Sequence, residues 1–260
     1  MTARLIAVVH LPPLPGSPRA IPLADVERTA LSDARVLVDA GYTRLLVENF
    51  GDAPFFKSDI SPLTTSCMTR VALRLRDAFP NIELGINVLR NDAIAALGIA
   101  RAVGASFIRV NVLTGARVTD QGVIEGIAAR LLRERAVSMS AIAIYADVDV
   151  KHSAPLAPYP LEQETHDVID RGLADAVLVT GEGTGRSVDL QKLEMVKRAA
   201  KGKPVLVASG ATVEMLPEIA QFANGVIVGS AVREEGTAGH PVDRVRATRF
   251  REAFLGAFIT

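Results

Sequence analysis

The sequence has little cysteine, few aromatic residues and no excess charge of either sign. Cys67 is its only cysteine, which excludes a disulfide scaffold and a cysteine-rich zinc site. The 29 basic residues are balanced by 29 acidic ones, a balance that disfavours a polyelectrolyte binder. Basic and aromatic residues form no shared stripe, so we expect no nucleic-acid partner. With 49% hydrophobic residues, the 260-residue chain has enough apolar surface to fold.

Long apolar runs are also lacking. The N-terminal run from Leu5 to Val9 is shorter than the roughly 7–15 residues of a secretory signal, and no small-residue cleavage site follows it. No stretch approaches the roughly 18 uninterrupted apolar residues of a transmembrane helix. We therefore expect a cytoplasmic protein without a transmembrane segment. A peripheral association with a membrane stays open, although the sequence offers no convincing amphipathic basic helix for it.

One pattern recurs along the chain: a helical stretch ends, a glycine follows, and a short apolar strand begins. Glycine readily takes the left-handed conformation just past a helix, and near-continuous apolar strands are typical of a parallel sheet buried on both faces. The predicted strands start near Arg4, Thr43, Ile82, Phe107, Ala141, Ala176, Pro204 and Gly225. The predicted helices start near Asp25, Thr65, Asn91, Val123, Leu161, Asp189, Val213 and Pro241.

Eight strand–helix repeats predict an α/β fold, a single (β/α)8 TIM barrel, which typically takes about 250 residues. We expect one TIM-barrel domain over residues 1–260. The alternative is an open doubly wound sheet. It is disfavoured because the composition shows no domain-sized break and because the turn after the first strand, residues 10–18, is rich in proline rather than glycine.

Ionisable residues stand at the predicted strand ends, where a TIM barrel carries its active site. Glu48 and Asp147 are expected to supply acid–base chemistry or to hold a divalent cation such as Mg²⁺, with metal-free catalysis an equal alternative. His10, Lys151 and His152 are expected to assist. Lys151 could anchor a phosphate, pair with a carboxylate or, less readily, form a Schiff base. The alternative for His10 is a hydrogen bond within its own loop, and the alternative for His152 is a position in a surface loop.

Polar residues at other strand ends are candidates for holding a substrate. Asn87, Arg109 and Asn111 follow or end the third and fourth strands and can bond a polar ligand. The last three loops are rich in small residues, whose backbone N–H groups can approach an anion. The alternative is that these residues only make tight turns. The predicted phosphate-binding residues are Gly181, Gly183, Ser209, Gly210, Gly229 and Ser230.

These segments together resemble the BtpA/SgcQ family. The resemblance covers almost the whole chain and is carried by residues 10–18, 48–55, 85–92, 107–112 and 146–152 and by the loops at Gly181, Ser209 and Gly229. It implies a TIM barrel of the ribulose-phosphate-binding type and no single settled activity. Some cyanobacterial relatives are linked to photosystem I biogenesis at the thylakoid, and others look like enzymes of sugar or nucleoside metabolism.

Two functional hypotheses follow. The first is an enzyme acting on a small phosphorylated sugar or nucleoside-like substrate by isomerisation, lyase chemistry or glycosidic-bond cleavage. The alternative is a non-catalytic biogenesis or assembly factor for a membrane complex such as photosystem I, which predicts an exposed apolar patch around Phe55 and Phe56. By analogy with other barrels we expect a homo-oligomer.

Overall fold

A computed structural model describes residues 3–139, 141–181 and 188–259 of the chain. Eight parallel strands close into a barrel in which sequence neighbours pair and the last strand pairs with the first. The strands are β1 (Arg4–His10), β2 (Arg44–Glu48), β3 (Glu83–Asn87), β4 (Phe107–Val110), β5 (Ala143–Val148), β6 (Ala176–Val179), β7 (Val205–Val207) and β8 (Gly225–Val228). The predicted TIM barrel is therefore confirmed, and each predicted strand start lies within two residues of the observed one.

A helix follows each barrel strand. The helices are α1 (Leu23–Asp39), α2 (Pro62–Ala78), α3 (Ala93–Ala102), α4 (Ala128–Val137), α5 (Leu161–His166), α6 (Leu190–Ala199), α7 (Leu216–Phe222) and α8 (Arg244–Phe258). Side chains that precede α2, α3, α6 and α8 cap their first turns: Ser61, Asp92, Asp189 and Asp243 each accept a backbone N–H. Such caps satisfy donors that the helix itself leaves unpaired.

The prediction of a helix starting near Val123 is wrong. Residues Gly122–Glu125 form a strand that pairs antiparallel with Ala116–Thr119. The strand Ala116–Thr119 pairs on its other edge with Ser153–Pro155. Ile124 is buried in a small apolar cluster, and the other three residues of the strand Gly122–Glu125 are exposed. Backbone pairing with Ala116–Thr119 makes this segment a strand, and α4 begins only at Ala128.

The barrel interior is filled by side chains that alternate along the strands. Its lower layers are apolar and contain Ile6, Leu46, Phe107, Tyr145, Leu178, Leu206 and Ile227. A larger apolar layer lies between the strands and the surrounding helices. Because the side-chain period of a strand is two, the same alternation points the residues at the upper strand ends into the barrel mouth. The register aligns His10 with Glu48, Glu48 with Asn87, and Asn87 with Arg109.

Gly85 makes room for the ring of Phe107 in the barrel interior. A Cβ atom at Gly85 would lie 2.2 Å from the ring of Phe107, and that ring stacks on Tyr145 with 4.7 Å between centroids. The two aromatic rings therefore close the barrel below its mouth, and they do so only because the facing position on β3 carries no side chain.

We expect Gly85→Ala to lower the free energy of unfolding by about 1–3 kcal/mol, because overpacking forces the ring off its position. The matched control is Gly98→Ala in α3, where a Cβ meets nothing within 4 Å; there alanine should stabilise by about 0.5–1 kcal/mol. Urea unfolding of both variants checks this. A Gly85→Ala protein as stable as the wild type would contradict the packing argument, and adding Phe107→Leu should recover part of the loss.

Candidate functional site at the barrel mouth

A cavity of about 580 Å³ opens at the C-terminal end of the barrel strands. This volume lies in the range of small-molecule sites. The predicted site residues that line it are Glu48, Asn87, Arg109, Asn111, Lys151 and His152. A smaller pocket of about 40 Å³ adjoins it and is lined by His10, Ser209, Gly210, Gly229 and Ser230, sharing Glu48, Arg109 and Lys151 with the larger one.

A buried ion pair between Arg109 and Asp147 forms the centre of the mouth. Arg109 Nε and Nη2 donate to the two carboxylate oxygens of Asp147 at 3.0 and 2.9 Å, and Asn111 Nδ2 donates to Oδ2 at 2.9 Å. The side chains are 4% and 0% exposed. Burial opposes the charge on Arg109, but the charge and hydrogen bonds of Asp147 outweigh it and raise the pKa of Arg109.

Glu48 stands beside this pair with one oxygen bonded and one turned toward His10. Asn87 Nδ2 donates to Oε2 at 2.6 Å, and Arg109 Nη1 lies 4.0 Å from the same oxygen. The other oxygen, Oε1, is 3.8 Å from His10 Nε2. A distance of 3.8 Å is too long for a direct hydrogen bond, and a ligand hydroxyl placed between the two groups could bond both.

His10 is held as a neutral imidazole. Its Nδ1 accepts the backbone N–H of Gly239 at 3.3 Å, and its ring stacks on Phe50 with 4.4 Å between centroids. Burial, followed by the charges of Arg233, Lys151 and Arg109, lowers the pKa of His10 well below its usual value. With Nδ1 acting as acceptor, the ring proton is on Nε2 and faces Glu48.

Lys151 and His152 follow β5 but occupy different surroundings. Lys151 Nζ lies 3.4 Å from Ser209 Oγ, and its backbone N–H donates to Thr180 Oγ1 at 3.1 Å. Burial and the charge of Arg109, opposed by Glu48 and Asp147, lower the pKa of Lys151 to about 8. His152 lies at the exposed rim of the cavity with a φ of 57°. Partial burial and the charge of Lys151 lower its pKa as well.

The predicted phosphate-binding residues separate into two groups. Ser209 and Gly210 follow β7, and Gly229 and Ser230 follow β8 at the start of a short 3₁₀ turn, Ser230–Val232. A Cβ at Gly229 would lie 3.1 Å from His10 Cε1, so this loop packs against the imidazole. Gly181 follows β6, and its backbone N–H donates to the carbonyl of Ser209 at 3.4 Å, which joins the loop after β6 to the loop after β7. Gly183 lies outside the described residues.

Sequence reasoning assigned no role to three buried residues that shape the mouth. Arg90 lines the cavity and donates to the carbonyl of Lys151 at 2.6 Å. Asn49 accepts the backbone N–H of Leu89 at 2.7 Å, and Asn91 bonds both backbone groups of Val112 at 2.8 and 2.9 Å. The available signal was that an Asn follows Glu48 at the end of the second strand and another follows Arg90.

Arg233 was also missed, and it fixes the loop after β8. Its side chain is fully buried, pairs with Asp33 of α1 at 2.8 Å and donates to the carbonyl of Val8 at 2.9 Å. The loop that carries Gly229 and Ser230 is therefore tied to both β1 and α1. This arrangement keeps the small pocket in one place relative to His10.

The carboxylates of the mouth do not fit a Mg²⁺ site. Both oxygens of Asp147 accept hydrogen bonds from Arg109 and Asn111, and one oxygen of Glu48 accepts a hydrogen bond from Asn87. Among residues 3–139, 141–181 and 188–259, no group of three or more His, Cys, Asp and Glu side chains is placed to hold a metal ion. Arg109 and Lys151 add positive charge at the same place, which opposes a bound cation.

We expect Asp147→Asn to lower the free energy of unfolding by about 3–5 kcal/mol, since it removes the carboxylate that pairs bidentately with the buried guanidinium of Arg109. The control is Asp39→Asn, which removes the partner of Arg244 from an exposed pair at 3.1 Å; such pairs contribute less than about 1 kcal/mol. Urea unfolding measures both. Equal, small losses would show that the buried pair has no special weight.

In the part of the chain that the structure describes, no helix has the length and apolarity needed to cross a bilayer.

Solved structures share the fold at low sequence identity. The native KDPGal structure superposes with a TM-score of 0.63 and 17% identity, and covers 100% of both chains. Phosphoribosyl anthranilate isomerase from Thermus thermophilus gives a TM-score of 0.57 at 12% identity, covering 97% of this chain and 98% of the other. At these identities the likeness concerns the barrel architecture.

Relatives by sequence cover nearly the full length. The photosystem I biogenesis protein BtpA of Synechocystis is 46% identical over 250 residues, 96% of this chain and 87% of that protein. An uncharacterised protein of Thermococcus kodakarensis is 45% identical, covering 95% of this chain and 94% of the other. A mitochondrial protein of Caenorhabditis elegans, also uncharacterised, is 32% identical over 95% of this chain. Residues 1–255 match the BtpA family, and the chain belongs to that family.

Proposed function

We propose that the protein is an enzyme acting on a small phosphorylated sugar or nucleoside-like compound. The observation that carries the proposal is the pair of adjoining pockets at the barrel mouth. The larger cavity is lined by buried ionisable groups, and the smaller pocket lies between the small-residue loops after β7 and β8. Perturbed ionisable groups in a cavity at the C-terminal end of a barrel are typical of an active site.

The smaller pocket is the proposed phosphate site. Ser209, Gly210, Gly229 and Ser230 line it, and barrels frequently bind phosphate with the loops after their last two strands. Lys151, with its ammonium group 3.4 Å from Ser209 Oγ, supplies the positive charge. In this proposal Gly181 has a structural role and does not bind the phosphate, because its N–H is already bonded to the carbonyl of Ser209. The solved barrels of similar fold include one whose name contains a phosphoribosyl substrate, which agrees with the proposal.

Glu48 and His10 are the proposed acid–base pair. Glu48 is an acceptor at Oε1, and neutral His10 is a donor at Nε2, with 3.8 Å between them. A hydroxyl or an acidic C–H placed at this gap would lose its proton to Glu48, while His10 would donate to the oxygen that gains charge. Isomerisation, lyase chemistry and glycosidic cleavage each contain such a step. Asp147 is assigned to positioning, because its oxygens already accept three hydrogen bonds.

Inorganic phosphate and ribose 5-phosphate should raise the melting temperature of the wild-type protein. Lys151→Met should lower the affinity for both compounds about tenfold or more. Because the pKa of Lys151 is about 8, the charge that holds the anion is present below that pH and is lost above it. Affinity should therefore fall as the pH rises from about 8, and Lys151→Arg, which keeps its charge, should abolish the fall. Titration calorimetry checks both points.

Lys57→Met is the matched control, since Lys57 is exposed and lies outside both mouth pockets. It should leave phosphate affinity unchanged. If phosphate binds the Lys151→Met and wild-type proteins equally well, the assigned anion site is wrong.

The second candidate is the assembly factor, which the name of the Synechocystis relative favours. Phe56 next to the mouth is 64% exposed, and an exposed aromatic side chain can serve as a contact for another protein.

Complementation separates the two candidates. In a Synechocystis strain that lacks its own relative and is restored by the wild-type chain, we expect Glu48→Gln to fail to restore photosystem I and Phe56→Ser to succeed. Loss of a general base typically costs about 10²–10⁴ in rate, while a solvent-facing serine leaves the mouth intact. The measurement is photosystem I content at equal protein level. The reverse pattern would support an assembly contact and overturn the enzyme proposal.

A further inference from the structure

Two buried amide oxygens at the mouth have no donor. Within residues 3–139, 141–181 and 188–259, Asn87 Oδ1 and Asn111 Oδ1 accept no hydrogen bond and are closed off from bulk water. Both residues line the 580 Å³ cavity. A buried carbonyl oxygen left without a donor costs about 1–3 kcal/mol, so two of them in one cavity call for an explanation.

The chemistry of their neighbours fixes which way each amide points. Asn87 Nδ2 faces Glu48 at 2.6 Å, and Asn111 Nδ2 faces Asp147 at 2.9 Å. An ionised carboxylate can only accept hydrogen bonds, so the NH₂ group of each amide must face it. The reversed orientation would set two acceptors against each other. The carbonyl oxygens are thus turned away from the carboxylates by necessity.

The surrounding charge indicates what kind of donor is missing. Arg90, Arg109 and Lys151 line the same cavity, and Asp147 is already paired with Arg109. A metal cation or a ligand ammonium would be placed among these positive groups, which is unfavourable at low dielectric. A neutral hydroxyl donates without adding charge.

The two acceptors also lie opposite the proposed phosphate loops. Asn87 ends β3 and Asn111 directly follows β4, whereas Ser209 and Ser230 follow β7 and β8. In a closed barrel of eight strands, these two strand pairs lie on opposite sides. A ligand with its phosphate in the small pocket would therefore direct its other end toward the side of the mouth that carries Asn87 and Asn111.

We propose that the ligand is a polyhydroxylated compound that donates two hydroxyl groups, one to Asn87 Oδ1 and one to Asn111 Oδ1, at the end remote from its phosphate. This inference rests on the proposed function for the position of the phosphate, and the hydroxyl site itself stands on the unpaired oxygens. The asparagines would then determine specificity, because a compound without these hydroxyls leaves both oxygens unpaired.

The test varies the ligand and keeps the wild-type protein. Titration calorimetry compares inorganic phosphate, ribose 5-phosphate, free ribose, MgCl₂ and ribose 5-phosphates in which single hydroxyls are replaced by fluorine, which cannot donate. We expect ribose 5-phosphate to bind about tenfold or more tightly than phosphate, and two of the fluorinated compounds to lose at least about tenfold.

A variant then assigns one hydroxyl. Asn111→Leu removes an acceptor while Asp147 keeps both bonds to Arg109. In this variant one fluorinated compound and its parent should bind with equal affinity, as in a double-mutant cycle. Asn81→Leu, at an exposed position before β3, is the control and should keep the wild-type preference.

Each outcome decides one of the two proposals. If phosphate binds but ribose 5-phosphate binds no more tightly, or all fluorinated compounds match their parent, buried water satisfies the oxygens and the hydroxyl site is wrong while the phosphate site stands. If free ribose binds and phosphate does not, the phosphate site is wrong and the hydroxyl site stands. Binding of Mg²⁺ that Asn111→Leu abolishes, or no binding of any polyol, overturns the inference.

Discussion

The bidentate ion pair between Arg109 and Asp147 is the constraint on which the barrel mouth depends. Removing two charges from water is costly, and the pair offsets that cost only through its geometry and a third bond from Asn111. Once formed, it fixes the direction of the Asn111 amide and places positive charge 4.0 Å from Glu48. The same charge adds to burial in lowering the pKa of Lys151. One contact therefore influences the orientation of Asn111 and the electrostatic surroundings of Glu48 and Lys151.

The barrel divides into a layer that provides stability and a layer that provides chemistry. Below the mouth, Phe107 and Tyr145 stack across the interior, and Gly85 leaves them space. Above them, the inward positions become polar within one strand repeat, from Phe107 to Arg109 and from Tyr145 to Asp147. The aromatic layer closes the cavity from below, so a ligand enters from the loop side alone. The burial of Arg109 and Asp147 above this layer strengthens the electrostatic interaction between them.

Much of the fold could be predicted from the sequence, because apolar strands and glycine-ended helices are local patterns. The face of α1 with Val26, Ala30, Ala34 and Leu37 is buried as such a pattern requires. The strand at Gly122–Glu125 could not be recognised, because it is short and buries only Ile124, so its local pattern does not distinguish it from a helix. The strand ends at the mouth could be predicted, but the hydrogen bonds between them could not. Arg109 and Asp147 are 38 residues apart, and the pairing of β4 with β5 brings them together. That residues 1–260 form one domain stays a prediction.

Energetics also bear on the choice between catalysis and a purely structural role. An ion pair or carboxylate in a core can often be replaced by apolar side chains of similar volume at no loss of stability. The mouth nevertheless keeps Glu48, Arg109 and Asp147 buried, together with two amide oxygens that find no donor among the described residues. A surface that only contacts another protein gains nothing from burying these groups. A ligand that enters the mouth and supplies the missing donors offsets the cost of their burial, and this balance favours a binding and catalytic role for the cavity.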